Sequence, residues 1–228
     1  MGLVDADAYM ALERRVAGLL DSRHADVAVP ACPAWTVHDL IGHLAGLCED
    51  WVAHRLDDYA SEAWTAAQVA RFSHCPLDEV LRRWSEATGA FVGLPDDPVM
   101  GPPARWAFGD AVVHEADLRG ALAAERVPTE AVIMALKGQI ARWRQVLGAS
   151  PAPTLLLRVP DVREWWLGGP DEPGAVVVEA PVYEVFRALA GRRTREQVRS
   201  WSWEGDPTPY LDAGLPYPFS FATSEILD

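Results

Sequence analysis

Three residues of this chain have the types and spacing to hold a cation. Asp110 and His114 stand four apart, and on a helix that spacing projects both side chains from neighbouring turns of one face. His114 falls between the apolar residues Ala111 and Leu118 of that face, where a polar group needs a partner. His43 lies beside the apolar stripe of an earlier helix, on the flank shared with Leu47 and His54. Two imidazoles and a carboxylate from facing helices make a three-ligand set with further positions open, as a catalytic divalent metal such as zinc requires. Asp117, a turn beyond His114, is placed to accept from its ring or to cap a neighbouring segment. Spacing alone leaves a second reading open. An i,i+4 Asp/His pair also makes plain structural hydrogen bonds, and a flank histidine also packs on its neighbours.

The elements that must position these residues follow from periodicity. Val4 to about Leu20 carries Tyr9, Leu12, Val16 and Leu19 at helical spacing, with Asp5 and Asp7 where the helix dipole favours negative charge. Pro30 and Pro33 interrupt the chain, and Thr36 followed by Asp39 predicts a capping-box start for the helix that bears His43. Pro76 opens a third helix with Leu77, Val80, Trp84 and Phe91 on one face. Pro102 and Pro103 open a fourth, through about Glu125, and Thr129 starts a fifth that closes at Gly148. Amphipathic helices with short joints predict an antiparallel bundle. After Pro151 the pattern changes to three short strands, 154–159, 162–167 and 175–179, with the turn GGPDEPG between the second and third. Pro181 to Ala190 returns to helical spacing, Gly191 stops it, and a proline-rich tail is expected to be irregular and to pack by its aromatics. The expected class is α+β, with a helical bundle over 1–149 and a small α/β domain over 150–228.

Composition narrows the function. The chain has 228 residues, 50 % hydrophobic and 23 % charged, which is ordinary for a globular protein. Its net charge of −13 repels nucleic acid and anionic lipid. No apolar run reaches the roughly 20 residues a bilayer needs. Charged residues such as Glu13, Arg14 and Arg15 occupy the place of a signal-peptide core, so a cytoplasmic location is expected. Cys32, Cys48 and Cys75 are odd in number and lack CxxC spacing, fitting neither a disulfide framework nor a zinc ribbon. Cys32 and Cys48 read as packing residues, and His24, His38, His54 and His74 as surface ones. Trp35 and Trp51 suit either a cleft wall or a core.

Three motifs carry a resemblance. The stretch VPACPAWTVHDLIGHLAG from Val29 to Gly46, the stretch DAVVHEADLR from Asp110 to Arg119, and VFRALAGRR from Val185 to Arg193 followed by Trp203 to Asp206 resemble, in order, the signatures of the mycothiol-dependent maleylpyruvate isomerase family, an actinobacterial group of DinB-like metalloenzymes. The resemblance implies a DinB-like bundle and a divalent metal, usually zinc, on His43, Asp110 and His114. It implies mycothiol as thiol cofactor and a small electrophilic substrate like maleylpyruvate, for isomerisation or S-transfer. It also implies a functional arginine in the C-terminal domain, for which Arg192 is the match, with Arg193 adjacent. The family's carboxylate is commonly glutamate, one methylene longer than Asp110, and Glu115 points to another face. That departure keeps a second function open: a metal-free binding or accessory protein of the same fold, in a biosynthetic or stress pathway, without turnover.

Overall fold

The structure is a computed structural model that describes residues 6–96, 103–168, 175–226 and 228. The expected helix start at Val4 and Asp5, the helix-opening Pro102, and the turn residues from Gly169 to Gly174 lie outside the described residues. The chain is α+β and divides into two compact units, Met1–Arg126 with Asp228, and Val127–Leu227.

The first unit is helical: α1 (Ala6–Ala17), α2 (Val37–Val52), α3 (Glu62–Phe72), α4 (Leu77–Phe91) and α5 (Pro103–Ala121). α2 starts as expected. The Thr36 hydroxyl accepts from the Asp39 backbone N–H while the Asp39 carboxylate accepts from that of Thr36, closing a capping box. α2 packs on α4, α3 and α5, and α1 on α4 and α5. Their apolar faces meet in a core of Tyr9, Leu12, Leu40, Ile41, Leu44, Val80, Trp84, Phe91, Val112 and Leu118, each essentially inaccessible to water. Tyr9 stands edge-on to Phe91, with ring centroids 5.2 Å apart.

α3 has no counterpart in the periodicity reading. Its sequence, EAWTAAQVARF, presents only Trp64, Gln68 and Phe72 to the interior, so it lacks the continuous apolar stripe that marks its neighbours. What it has is a capping serine, Ser61, whose side chain accepts from the Trp64 backbone N–H, and an alanine-rich interior of high helix propensity. It approaches α2 at Gly46, where an added Cβ would lie 2.6 Å from Gln68 Cβ.

The second unit begins earlier than the expected boundary at 149/150. The helix α6 (Thr129–Gly148) has the limits read from the sequence, but it packs on α7 (Val182–Leu189), α9 (Thr208–Ala213) and the sheet strand β2. The strands are β1 (Leu155–Val159), β2 (Arg163–Leu167), β3 (Val176–Glu179) and β4 (Ser202–Glu204), in spatial order β2-β1-β3-β4. β1 is antiparallel to β2 and parallel to β3, and β3 is antiparallel to β4. β1 is paired on both sides, and its Leu155, Leu156 and Leu157 are all buried, as a central strand's should be. Gly191 ends α7 at φ +77°, and a Cβ there would lie 2.6 Å from the Ser220 carbonyl oxygen. The tail is more regular than expected. It contains α8 (Arg195–Arg199), β4 and α9, and Trp201, Trp203 and Phe221 pack on the buried Ala188, Val198 and Leu211. Elements of three to six residues are too short to show a period, which is why the prolines dominated the reading.

The close approach of α2 and α3 is testable. Gly46→Ala forces the two helices apart and is expected to destabilise the protein by about 1–3 kcal/mol, the usual range for overpacking. Chemical denaturation measures it, and a neutral result would contradict the packing.

Candidate metal centre

His43 sits two turns into α2 and is 5 % exposed. Its ring orientation is set by a chain of buried polar groups. His43 Nδ1 lies 2.8 Å from Gln68 Oε1, and Gln68 Nε2 donates to Asp50 Oδ2 at 2.9 Å. Asp50 is itself held by Arg55 Nε at 2.8 Å and Arg71 Nη2 at 2.6 Å. The Asp50 carboxylate only accepts, so the Gln68 amide must turn its NH2 toward it and its carbonyl toward the histidine. The hydrogen of His43 is therefore on Nδ1, and Nε2 is directed at Asp110 Oδ2, 3.1 Å away. In the neutral tautomer both of those atoms are acceptors. A proton or a metal cation must lie between them.

α5 supplies the other side. Asp110 Oδ1 is 3.7 Å from His114 Nε2, and His114 Nδ1 is 3.1 Å from Asp117 Oδ2. A carboxylate behind Nδ1 fixes the tautomer so that Nε2 carries the lone pair, the arrangement found behind metal-bound histidines. Donor atoms of His43, Asp110 and His114 all lie within 4.8 Å of one another. The two histidines are buried, while the Asp110 side chain is 37 % exposed and forms the open side. The Trp35 ring stands 5.3 Å from the His43 ring and 5.7 Å from that of His114, centroid to centroid, so it walls the cluster. Trp51 is a core residue, 2 % exposed. Glu115 is fully buried and committed elsewhere, bound by Arg15 through Nε at 3.1 Å and Nη2 at 2.7 Å, and by Arg119 at 3.0 Å.

The cluster demands positive charge. Burial pushes the His114 pKa down, but the charge of Asp110 and the hydrogen bonds with Asp117 and Cys32 outweigh it and raise it to about 10. A cation bound at Nε2 must displace that proton.

Arg192, the arginine matched from the sequence, belongs to the second unit, where it is half-buried and donates to the Ala190 carbonyl at 2.6 Å. Arg193 is buried and forked onto Glu184 at 2.7 and 3.0 Å. Of the two, Arg193 is a structural ion pair. Two residues beside the His43, Asp110 and His114 cluster escaped the sequence reading. Gln68 lies on the unmarked α3. Cys32, read as a packing residue with no histidine partner, has its Sγ 3.5 Å from Asp117 Oδ2 and hydrogen-bonds with His114. The rigid proline turn around Cys32, 85 positions before its acceptor, gives no sequence signal for that meeting.

A search of solved structures finds mycothiol-dependent maleylpyruvate isomerase twice. One crystal structure of that enzyme superposes with a TM-score of 0.57 at 17 % identity, covering 90 % of this chain and 92 % of the other. A crystal structure of a histidine-to-alanine mutant gives 0.56 at 16 %, with the same coverage. The two proteins share one fold. No family model matches the chain, and no curated protein does. The likeness to maleylpyruvate isomerase therefore rests on architecture, over nearly the whole length of both chains.

In the metal-free protein the His114 imidazolium persists through neutral pH and titrates near 10, visible by histidine NMR. Because the folded pKa exceeds the ordinary 6.5, the stability it confers is complete below pH 6.5 and is lost as pH rises through about 10. Zinc affinity at neutral pH should accordingly fall about tenfold per unit of acidification through this proton alone, with proton release seen by calorimetry in buffers of different ionisation heat. Separately, Gln68→Leu removes the acceptor behind His43 and is expected to weaken metal binding about 10- to 100-fold. An unchanged zinc titration would show that the ring needs no such support.

Proposed function

We propose that this protein is a metal- and mycothiol-dependent isomerase or S-transferase acting on a small electrophile of the maleylpyruvate type. The observation that carries the reading is the pair of acceptors, His43 Nε2 and Asp110 Oδ2, held 3.1 Å apart by a buried network, with His114 Nε2 turned to the same carboxylate. Two nitrogens and one oxygen suit zinc, with a coordination position left for a ligand. When bound, such a cation supplies the Lewis acidity that favours a thiolate over a thiol near neutral pH. The shared fold with a mycothiol-dependent enzyme supports mycothiol as that thiol.

The residues then have distinct tasks. His43, Asp110 and His114 hold the cation, and Gln68 and Asp117 keep the two imidazoles in the right tautomer. Trp35 covers one side and excludes water from the histidines, leaving approach over the exposed Asp110. Addition of the thiol to a cis double bond leaves a single bond free to rotate, and loss of the same thiol returns the trans isomer. With other electrophiles the addition is a lasting S-transfer. Arg192 is proposed to clamp a substrate carboxylate with its planar fork. The rival reading, a metal-free accessory protein, drew on the shortness of Asp110. With oxygens 3.1 and 3.7 Å from the two imidazoles, the shorter acid still reaches both.

Among the described residues no helix is long and apolar enough to cross a membrane. All three cysteines are thiols, which fits the reducing cytoplasm we propose as its location.

Elemental analysis of untagged protein should find about one zinc per chain after reconstitution, and His114→Ala should abolish its retention. Mycothiol should then raise the melting temperature of the zinc form, as any ligand of the folded state does. No zinc after reconstitution, or full retention in His114→Ala, would falsify the ligand assignment.

A further inference from the structure

The ring of His114 has two nitrogens, and the proposed catalytic site uses only one. On the Nδ1 side, Asp117 and Cys32 complete a second donor set, whose ligand atoms all lie within 4.8 Å of one another. Asp117 and His114 are 1 % and 7 % exposed, so both offer buried ligands, and the half-buried Cys32 leaves one side open. Two of the three spacings are close to those a metal imposes, and the third is within 4.8 Å. A tetrahedral zinc site with bonds of about 2.1 Å to nitrogen and oxygen and about 2.3 Å to sulfur has donor-to-donor edges of roughly 3.3–3.6 Å. Here Nδ1 to Asp117 Oδ2 is 3.1 Å, and Oδ2 to Cys32 Sγ is 3.5 Å. Little movement is needed to seat an ion among them.

We propose that Cys32, His114 and Asp117 form a second cation position, selective for soft, thiophilic divalent ions such as cadmium. Selectivity follows from the donors: a thiolate, an imidazole and a carboxylate favour softer ions than the sulfur-free set of His43, Asp110 and His114. The two positions share His114 but draw on opposite nitrogens. Occupation of the second takes Asp117 and Nδ1 out of their hydrogen bond and replaces the proton there with the ion. Excess thiophilic metal thus loosens the support of the first site. The proposal does not need His43 or Asp110 as ligands, so it stands or falls apart from the reading of the catalytic site.

Cadmium is the probe, because a bound thiolate gives an ultraviolet charge-transfer band that nitrogen and oxygen ligands do not. Titration of the whole protein should produce that band. It should survive His43→Ala, which dismantles the first site, and a large excess of magnesium, and it should survive Cys75→Ser. Cys32→Ser should remove it. In unmutated protein, saturating cadmium should slow alkylation of Cys32 by iodoacetamide at least tenfold, read by peptide mass spectrometry, which keeps the test independent of whether the variants fold. A band that persists in Cys32→Ser, or no band at all, overturns the proposal. So does an alkylation rate that cadmium leaves unchanged.

Discussion

The cluster is governed by a conflict between like-charged lone pairs. A buried histidine nitrogen and a carboxylate oxygen are aimed at each other at hydrogen-bond distance, and the glutamine behind the histidine denies it the tautomer that would resolve the contact. The surrounding framework sustains that conflict. Arg55 and Arg71 anchor Asp50, Asp50 orients Gln68, and the bare backbone at Gly46 lets α3 come close enough for Gln68 to reach. On another face of α5, Arg15 of α1 bridges to Glu115, and Arg119 of α5 itself braces the same carboxylate one turn away.

Burial and charge then act together. The chain as a whole is acidic, and within the first unit three carboxylates, Asp50, Asp117 and Glu115, are at most 2 % exposed, with Glu13 also buried at 6 %. Burying a carboxylate is costly unless a cation meets it. Arginines meet two of them, at Asp50 and Glu115, and the third leans on the imidazole of His114. Of the two acids that face His114, Asp110 is the one in contact with solvent, so the electrostatic demand of the cluster opens outward at that residue.

Much of this was legible in the sequence where one residue type has one structural use. Thr36 and Asp39 announced the start of α2, the limits of α6 followed from Thr129 and Gly148, and the Asp110/His114 spacing led to the cluster. The orientation of the histidines was not legible. It depends on Gln68, a residue with no preferred role, on a helix whose interior face is too sparse to register as a stripe. Cys32 was hidden for a different reason: its partners are set by the path of a proline turn, which local pattern does not encode. The packing of α6 with the second unit was equally beyond periodicity, since an amphipathic face states that a helix is buried but not against what.

The contacts that define the cluster span great lengths of chain: 67 positions separate His43 from Asp110, and 85 separate Cys32 from Asp117. Closing such loops is among the slower and later steps of folding. A nascent or partly folded chain therefore has the helical fragments but not the convergence of His43 with Asp110 and His114. The complete donor set of His43, Asp110 and His114 is thus a signature of the finished fold, assembled only after α5 has docked on α2.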